Sequence, residues 1–159
     1  MSSSPRGLKF WISAWLPVAI GIGIIVLEST AMCGSDRTSQ PLRRLWEALF
    51  GSVSDLRWNV IHYEIRKCGH FFGYGFVGVA WLRAWWMTLP HSHFLEDTFL
   101  ALMGTALTAS LDELHQSYLP NRNGSVWDVL LDCGGAIALQ LAVYGWLRLF
   151  KPRQLARAE

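Results

Sequence analysis

The chain has 159 residues, of which 52% are apolar and 13% aromatic, and a formal net charge of +2. That length suits one domain, and so apolar a composition excludes an ordinary soluble one, so a single integral membrane domain over 1–159 is expected. The basic residues gather at the termini and in one long connection, which points to anionic lipid headgroups and excludes nucleic acid, whose recognition needs a broad basic surface.

The first segment follows Arg6 and Lys9 and runs over about 10–27 without a charge. It approaches the ~20 residues that cross the hydrocarbon core and exceeds the ~7–15 of a signal-peptide apolar region, so it reads as a retained span. Pro17 inside it is expected to kink the helix, which membrane helices tolerate when neighbours satisfy the freed carbonyl. The polar stretch Ser29 to Gln40 reads as a loop. Leu42, Leu45, Trp46, Leu49, Phe50 and Val53 then fall at helical spacing opposite Arg43, Arg44 and Glu47, predicting an amphipathic helix over about 41–53. It lies in the membrane interface or packs on the loop side of the bundle.

From about 56 to 89 the pattern stays helical, entering the membrane over about 70–89. Gly69, Gly73, Gly75 and Gly78 offer a bare surface for a neighbouring helix. Pro90 ends this span, and His91 and His93 read as solvated turn residues rather than metal ligands. A third span covers about 94–111, with Glu96 and Asp97 at the positive end of its dipole, and a fourth covers about 126–150. The expected fold is thus all-α: an integral membrane four-helix bundle with an extra interfacial amphipathic helix between spans one and two.

With four spans both termini share one side, together with Arg83, Arg148 and a basic C-terminal cluster. The opposite side holds Arg37, Arg43, Arg44, Arg57, Arg66, Lys67 and Arg122, so raw counting ties. Setting aside Arg66, Lys67 and Arg122 as members of a candidate site, the remainder favours cytoplasmic termini. Trp11, Trp15, Trp81, Trp85, Trp86 and Trp146 fall near the terminal-side boundary, as an aromatic belt would. Cys33, Cys68 and Cys133 form neither a disulfide framework nor a zinc motif and are expected to be small buried apolar residues; no cofactor or metal is expected.

Connectivity brings the start of span two, the end of span three and the start of span four to one membrane face. Lys67, His70 and Tyr74 share a helical face at i, i+3, i+7, with Asn59 and Tyr63 extending it. Asp112 and Gln116 are i, i+4 neighbours flanked by Glu113 and His115; Arg122 tips the following turn; Asp128 and Asp132 are again i, i+4. Ionisable groups at the ends of membrane spans are costly, which makes the set a candidate functional site. Its simpler reading is a buried ion-pair network that fixes helix register, with Ser125 and Asp128 as a helix capping box and Lys67 pairing with Glu64 on the surface. Functionally, Asp112, Glu113 and His70 are candidates for proton transfer. Lys67, Tyr74, His115, Gln116, Arg122, Asp128 and Asp132 are candidates for ligand binding.

At these residues the chain resembles the VanZ-like family of small membrane proteins. The family's Arg-Lys, His-Phe and Glu-Tyr pattern appears as RKCGHFFGYGFVG, and its DExHQ, Pro-Gly-Arg and Asp-rich helix start as DELHQSYLPNRNGSVWDVLLDCGG. Gly73 stands where the family has Glu, and Asn121 where it has Gly. The resemblance implies a four-helix multi-pass protein of the cell envelope and a link to glycopeptide (teicoplanin) resistance. The expected partners are the lipid bilayer and an anionic envelope lipid, cell-wall precursor or glycopeptide. An enzyme acting on a lipid-linked envelope substrate is the alternative, and a proton-coupled transporter the third reading.

Overall fold

The structure, a computed structural model, describes residues 6–30, 34–89, 93–119 and 124–150. Pro120, Asn121 and Arg122, as well as Cys33, Pro90, His91 and the basic cluster beginning at Lys151, lie outside the described residues. Five helices follow in order: α1 Leu8–Ser29, α2 Ser35–Phe50, α3 Asp55–Thr88, α4 Phe94–Ser117 and α5 Val126–Phe150. No strand occurs among the described residues.

Three of these, α1, α4 and α5, are long and apolar enough to cross a membrane. The sequence predicts a fourth span in the second half of α3, which is not among the three: Arg83 interrupts its apolar run. Polarity is inverted relative to a water-soluble protein. The largest fully buried side chains are Leu82, Gln140, Thr105, Asp97 and Asp132, while Ile20, Leu27, Phe76, Phe99, Leu107 and Leu141 are among many exposed apolar ones. Such an outer surface is compatible with lipid contact, since water would leave it an oversized apolar patch.

At 34 residues α3 is the axis of the molecule, about 51 Å long at the usual helical rise. It packs most extensively on α5, then on α4 and α1. Close approach to α5 depends on small residues: a Cβ on Gly78 would stand 2.7 Å from that of Ala136, and one on Gly75 3.1 Å from the Gly135 carbonyl. Gly69 and Gly73, expected to serve the same packing, face open space instead.

Pro17 sits inside α1 and has no N–H to offer the Ser13 carbonyl one turn earlier. Arg83 of α3 supplies the missing donor, its Nη1 lying 2.7 Å from Ser13 O. Nearby, Arg6 donates to the Met87 and Thr88 carbonyls at 3.1 and 2.8 Å, which holds the start of α1 against the end of α3. Trp15, Trp81 and Trp85 pack edge-to-face between α1 and α3, with centroids 4.9 and 5.6 Å apart, and Trp86 meets Phe94. These four partly buried tryptophans pack between helices, while Trp11 and Trp146 are exposed.

Helix α2 begins at Ser35, inside the stretch that reads as loop. Its short polar residues find partners that a loop would not give them. Arg37 N and Thr38 N both donate to Gly34 O at 3.1 Å, Thr38 Oγ1 lies 3.2 Å from His62 Nε2, and Trp58 Nε1 donates to Ser39 Oγ at 2.7 Å. Tertiary bonds thus override the usual preference of Ser and Thr for irregular backbone. The helix stops at Phe50 because Gly51 takes φ of 88°, a left-handed geometry suited to glycine. Arg43 then ties its end to α3 through Asp55 at 2.7 Å and the Val53 carbonyl at 2.8 Å. Leu45, Leu49 and Phe50 stay exposed on the other face.

Candidate functional site

The polar face of α3 meets one carboxylate per residue. Lys67 Nζ donates to Asp128 Oδ1, His70 Nδ1 lies 3.3 Å from Asp132 Oδ1, and the Tyr74 hydroxyl donates to Asp112 Oδ2 at 2.9 Å. The i, i+3, i+7 spacing sets three rungs along one helix, and the i, i+4 spacing of Asp128 and Asp132 on α5 matches two of them. Lys67 therefore pairs across helices with Asp128, in place of the expected surface pair with Glu64. Its ammonium also stands 5.1 Å from the Tyr63 ring centroid, although Tyr63 itself is exposed, as is Asn59.

The separation of the His70 rung is set by backbone contact. Gly135, almost one turn after Asp132, lies so close to α3 that a Cβ there would be 2.0 Å from the Phe71 carbonyl oxygen. His70 and Asp132 are thereby held together, and Asp132 is fully buried. Yet their 3.3 Å approach lacks hydrogen-bond alignment, so His70 Nδ1 and both Asp132 oxygens have no hydrogen-bond partner.

Helix α4 contributes two carboxylates with different surroundings. Asp112 accepts from Tyr74 and, on the same oxygen, from Gln116 Nε2 at 3.0 Å, so two neutral donors hold it. Glu113 accepts the Ser125 backbone N–H at Oε2, 2.7 Å away, and its buried Oε1 has no hydrogen-bond partner. Gly124 permits this: a Cβ at that position would fall 2.1 Å from Glu113 O. The Ser125 capping box is thus rearranged. Ser125 Oγ accepts from Trp127 N at 3.2 Å, but the acid that answers the Ser125 N–H is Glu113 of another helix, while Asp128 turns to Lys67.

Asp112, Glu113, Asp128 and Asp132 thus converge, and among the described residues Lys67 is the Lys or Arg that pairs with them. His115 is exposed, outside this cluster, and its Nδ1 lies 3.0 Å from Ser29 Oγ, joining α4 to α1. Cys68 is exposed and Cys133 partly so, against the expectation of burial; Cys68 falls on the outer face of α3, away from the bundle. Asp97, read as a dipole-stabilising first-turn residue, is fully buried. In that first turn Glu96 accepts from His93 N at 3.2 Å. Gln140, which donates to the Gly78 carbonyl at 3.2 Å, is a second buried polar group that an apolar sequence context concealed.

Two hollows adjoin the cluster. One, with a free volume of about 30 Å³, is bordered by Glu28, His70, Gly73, Tyr74, Asp112 and Gln116, and has room for a water or two. The other is an apolar crevice of about 390 Å³ between α1 and α4, and it shares Ile25, Ser29 and Asp112 with the first.

No curated protein and no solved structure matches the chain. The family described as VanZ/LLP1 matches residues 15–148, a stretch that holds all five helices except their outermost ends and every residue of the polar cluster. The chain belongs to the VanZ/LLP1 family.

Proposed function

We propose that this protein is a multi-pass enzyme of the cell membrane that acts by acid–base chemistry on a lipid-linked, anionic component of the cell envelope. In this reading the second half of α3 is the fourth span, α2 lies in the interface on its exposed apolar face, and the termini are cytoplasmic. The observation that carries the proposal is the apolar crevice running into the cluster at Asp112. An acyl or prenyl chain fits the crevice, whose polar lining residues include Ser29, Asp112 and His115, and Asp112 joins it to the rest of the cluster.

The roles within the site follow from the contacts. Asp112, held by Tyr74 of α3 and by Gln116 of its own helix, ties α4 to α3 and borders the small cavity. Glu113, with one oxygen fixed by Ser125 and the other without a hydrogen-bond partner, is the better placed candidate for moving a proton, and His70 stands next to it. Lys67 is engaged by Asp128, so recognition of the anionic headgroup is assigned to Arg122, between α4 and α5 in the sequence. Simple binding of an envelope component or glycopeptide would need only the crevice and Arg122; the proton-transfer groups give the enzymatic reading its preference.

The test is turnover. Full-length protein in mild detergent, incubated with lipid-linked envelope precursors, is expected to change their mass, and Glu113→Gln is expected to stop the change while the precursor still binds. Retention of precursor with no mass change in the wild type refutes the enzyme and leaves a binding protein.

A further inference from the structure

We infer that His70, Glu113 and Asp132 form a binding site for one first-row divalent cation, of the Zn²⁺ or Mn²⁺ type. Each offers one ligand atom, and no two of these atoms are more than 4.8 Å apart. The three residues come from α3, α4 and α5, so the cation would join three helices at one point.

Three observations beyond proximity point to a ligand. His70 Nδ1 is buried and lacks a hydrogen-bond partner, with Asp132 Oδ1 3.3 Å away. Asp132 is fully buried and neither of its oxygens has a hydrogen-bond partner, a costly state for a carboxylate unless a cation or a proton compensates it. Glu113, 5% exposed, has Oε2 anchored by the Ser125 N–H and Oε1 left without a hydrogen-bond partner at the cluster. Such anchoring by a backbone donor is how proteins orient a ligating carboxylate.

Charge and geometry agree. Lys67 pairs with Asp128, and the two ligating carboxylates Glu113 and Asp132 bring the two negative charges that a divalent cation would cancel with His70 neutral, while Asp112 keeps its own charge, stabilised by two neutral donors. An ion bound at about 2.0–2.2 Å keeps its ligands about 3–4 Å apart, so the widest pair must close by up to about 1–2 Å, within the reach of side-chain rotations. One imidazole nitrogen and two carboxylate oxygens suit borderline cations better than calcium, and a three-residue set leaves a coordination position for water or a substrate oxygen. The ion would also give an otherwise acidic site an affinity for an anionic headgroup. That point rests on the proposed function, whereas the site itself does not.

The test uses full-length protein without a polyhistidine tag, stripped with a chelator and titrated with Zn²⁺ against a chromophoric chelator. One equivalent is expected to bind and to raise the wild-type Tm. Asp132→Asn and Glu113→Gln are each expected to weaken binding by about tenfold or more, and Glu96→Gln, at the far end of α4, to leave it unchanged. No bound equivalent, no rise in wild-type Tm, or equal binding by the Asp132 and Glu113 variants overturns the site, and His70 and Asp132 are then a plain ion pair. The melting comparison needs no variant, so misfolding of a variant cannot mask the answer. Zn²⁺ bound at this cluster without turnover of any lipid precursor removes the proposed reaction and leaves the cation site; turnover by protein that binds no Zn²⁺ does the reverse.

Discussion

Gly134 and Gly135 are adjacent in one helix, and replacing each by Ala should have opposite effects. A Cβ at Gly134 meets nothing within 4 Å, whereas one at Gly135 would stand 2.0 Å from Phe71 O and 2.8 Å from Phe71 C, about 1.4 Å short of ordinary contact with that oxygen. The obstacle is backbone in the middle of α3 and cannot rotate away. Overpacking of this kind costs about 1–3 kcal/mol, against a helix-propensity gain of up to about 1 kcal/mol on replacing Gly by Ala. Gly134→Ala receives the gain without the cost. The propensity gain is common to both variants, so the pair should differ by the overpacking cost of about 1–3 kcal/mol, which for a domain of this size separates their Tm values by about 2–12 °C. Displacing α5 from α3 also widens the 3.3 Å approach of His70 to Asp132, so Gly135→Ala should bind Zn²⁺ more weakly than Gly134→Ala. Thermal unfolding followed by circular dichroism in one detergent, at one scan rate, measures the first difference. Equal melting of the two variants would refute the close α3–α5 contact and the register built on it.

The bond between Arg83 and the Ser13 carbonyl exists because Pro17 cannot donate. Arg83→Ala should lower stability by about 1 kcal/mol in the natural chain and by less in a Pro17→Ala background, where the helix supplies its own donor; a double-mutant cycle with no coupling rejects this account. Tyr74→Phe leaves Asp112 with Gln116 as its remaining donor and should cost about 1–3 kcal/mol, read as a fall in Tm; an unchanged Tm contradicts the bond. His62 lies in the first half of α3, before the apolar stretch. Burial and the nearby Arg66 hold its pKa below the usual histidine value. The folded state then binds fewer protons than the unfolded one, so the docking of α2 on α3 is favoured above about pH 6.5 and weakens as the pH falls below it. Hydrogen exchange of the α2 amides at pH 5 and pH 7.5 should show faster exchange, corrected for intrinsic rates, at the lower pH. His62→Gln should remove the difference.

The apolar runs by themselves determine α1, α4 and α5, because each holds a stretch long and apolar enough to be stable as a helix in lipid without help from its neighbours. The spacing of Lys67, His70 and Tyr74, of Asp112 and Gln116, and of Asp128 and Asp132 likewise determines which groups share a helix face, since the 3.6-residue period is a local property. Connectivity then brings those faces to one end of the molecule. Partner choice is different, because it depends on distances between helices that no local pattern encodes. Only the packed structure assigns Lys67 to Asp128 rather than Glu64, gives the Ser125 N–H to Glu113, removes His115 from the cluster and extends α2 back to Ser35. The deciding element is the contact of Gly135 with the Phe71 backbone, which sets how near α5 comes to α3. Glycine at 135 is legible in the sequence as permission for a close approach; which surface approaches, and at what height, is settled when all the helices pack together.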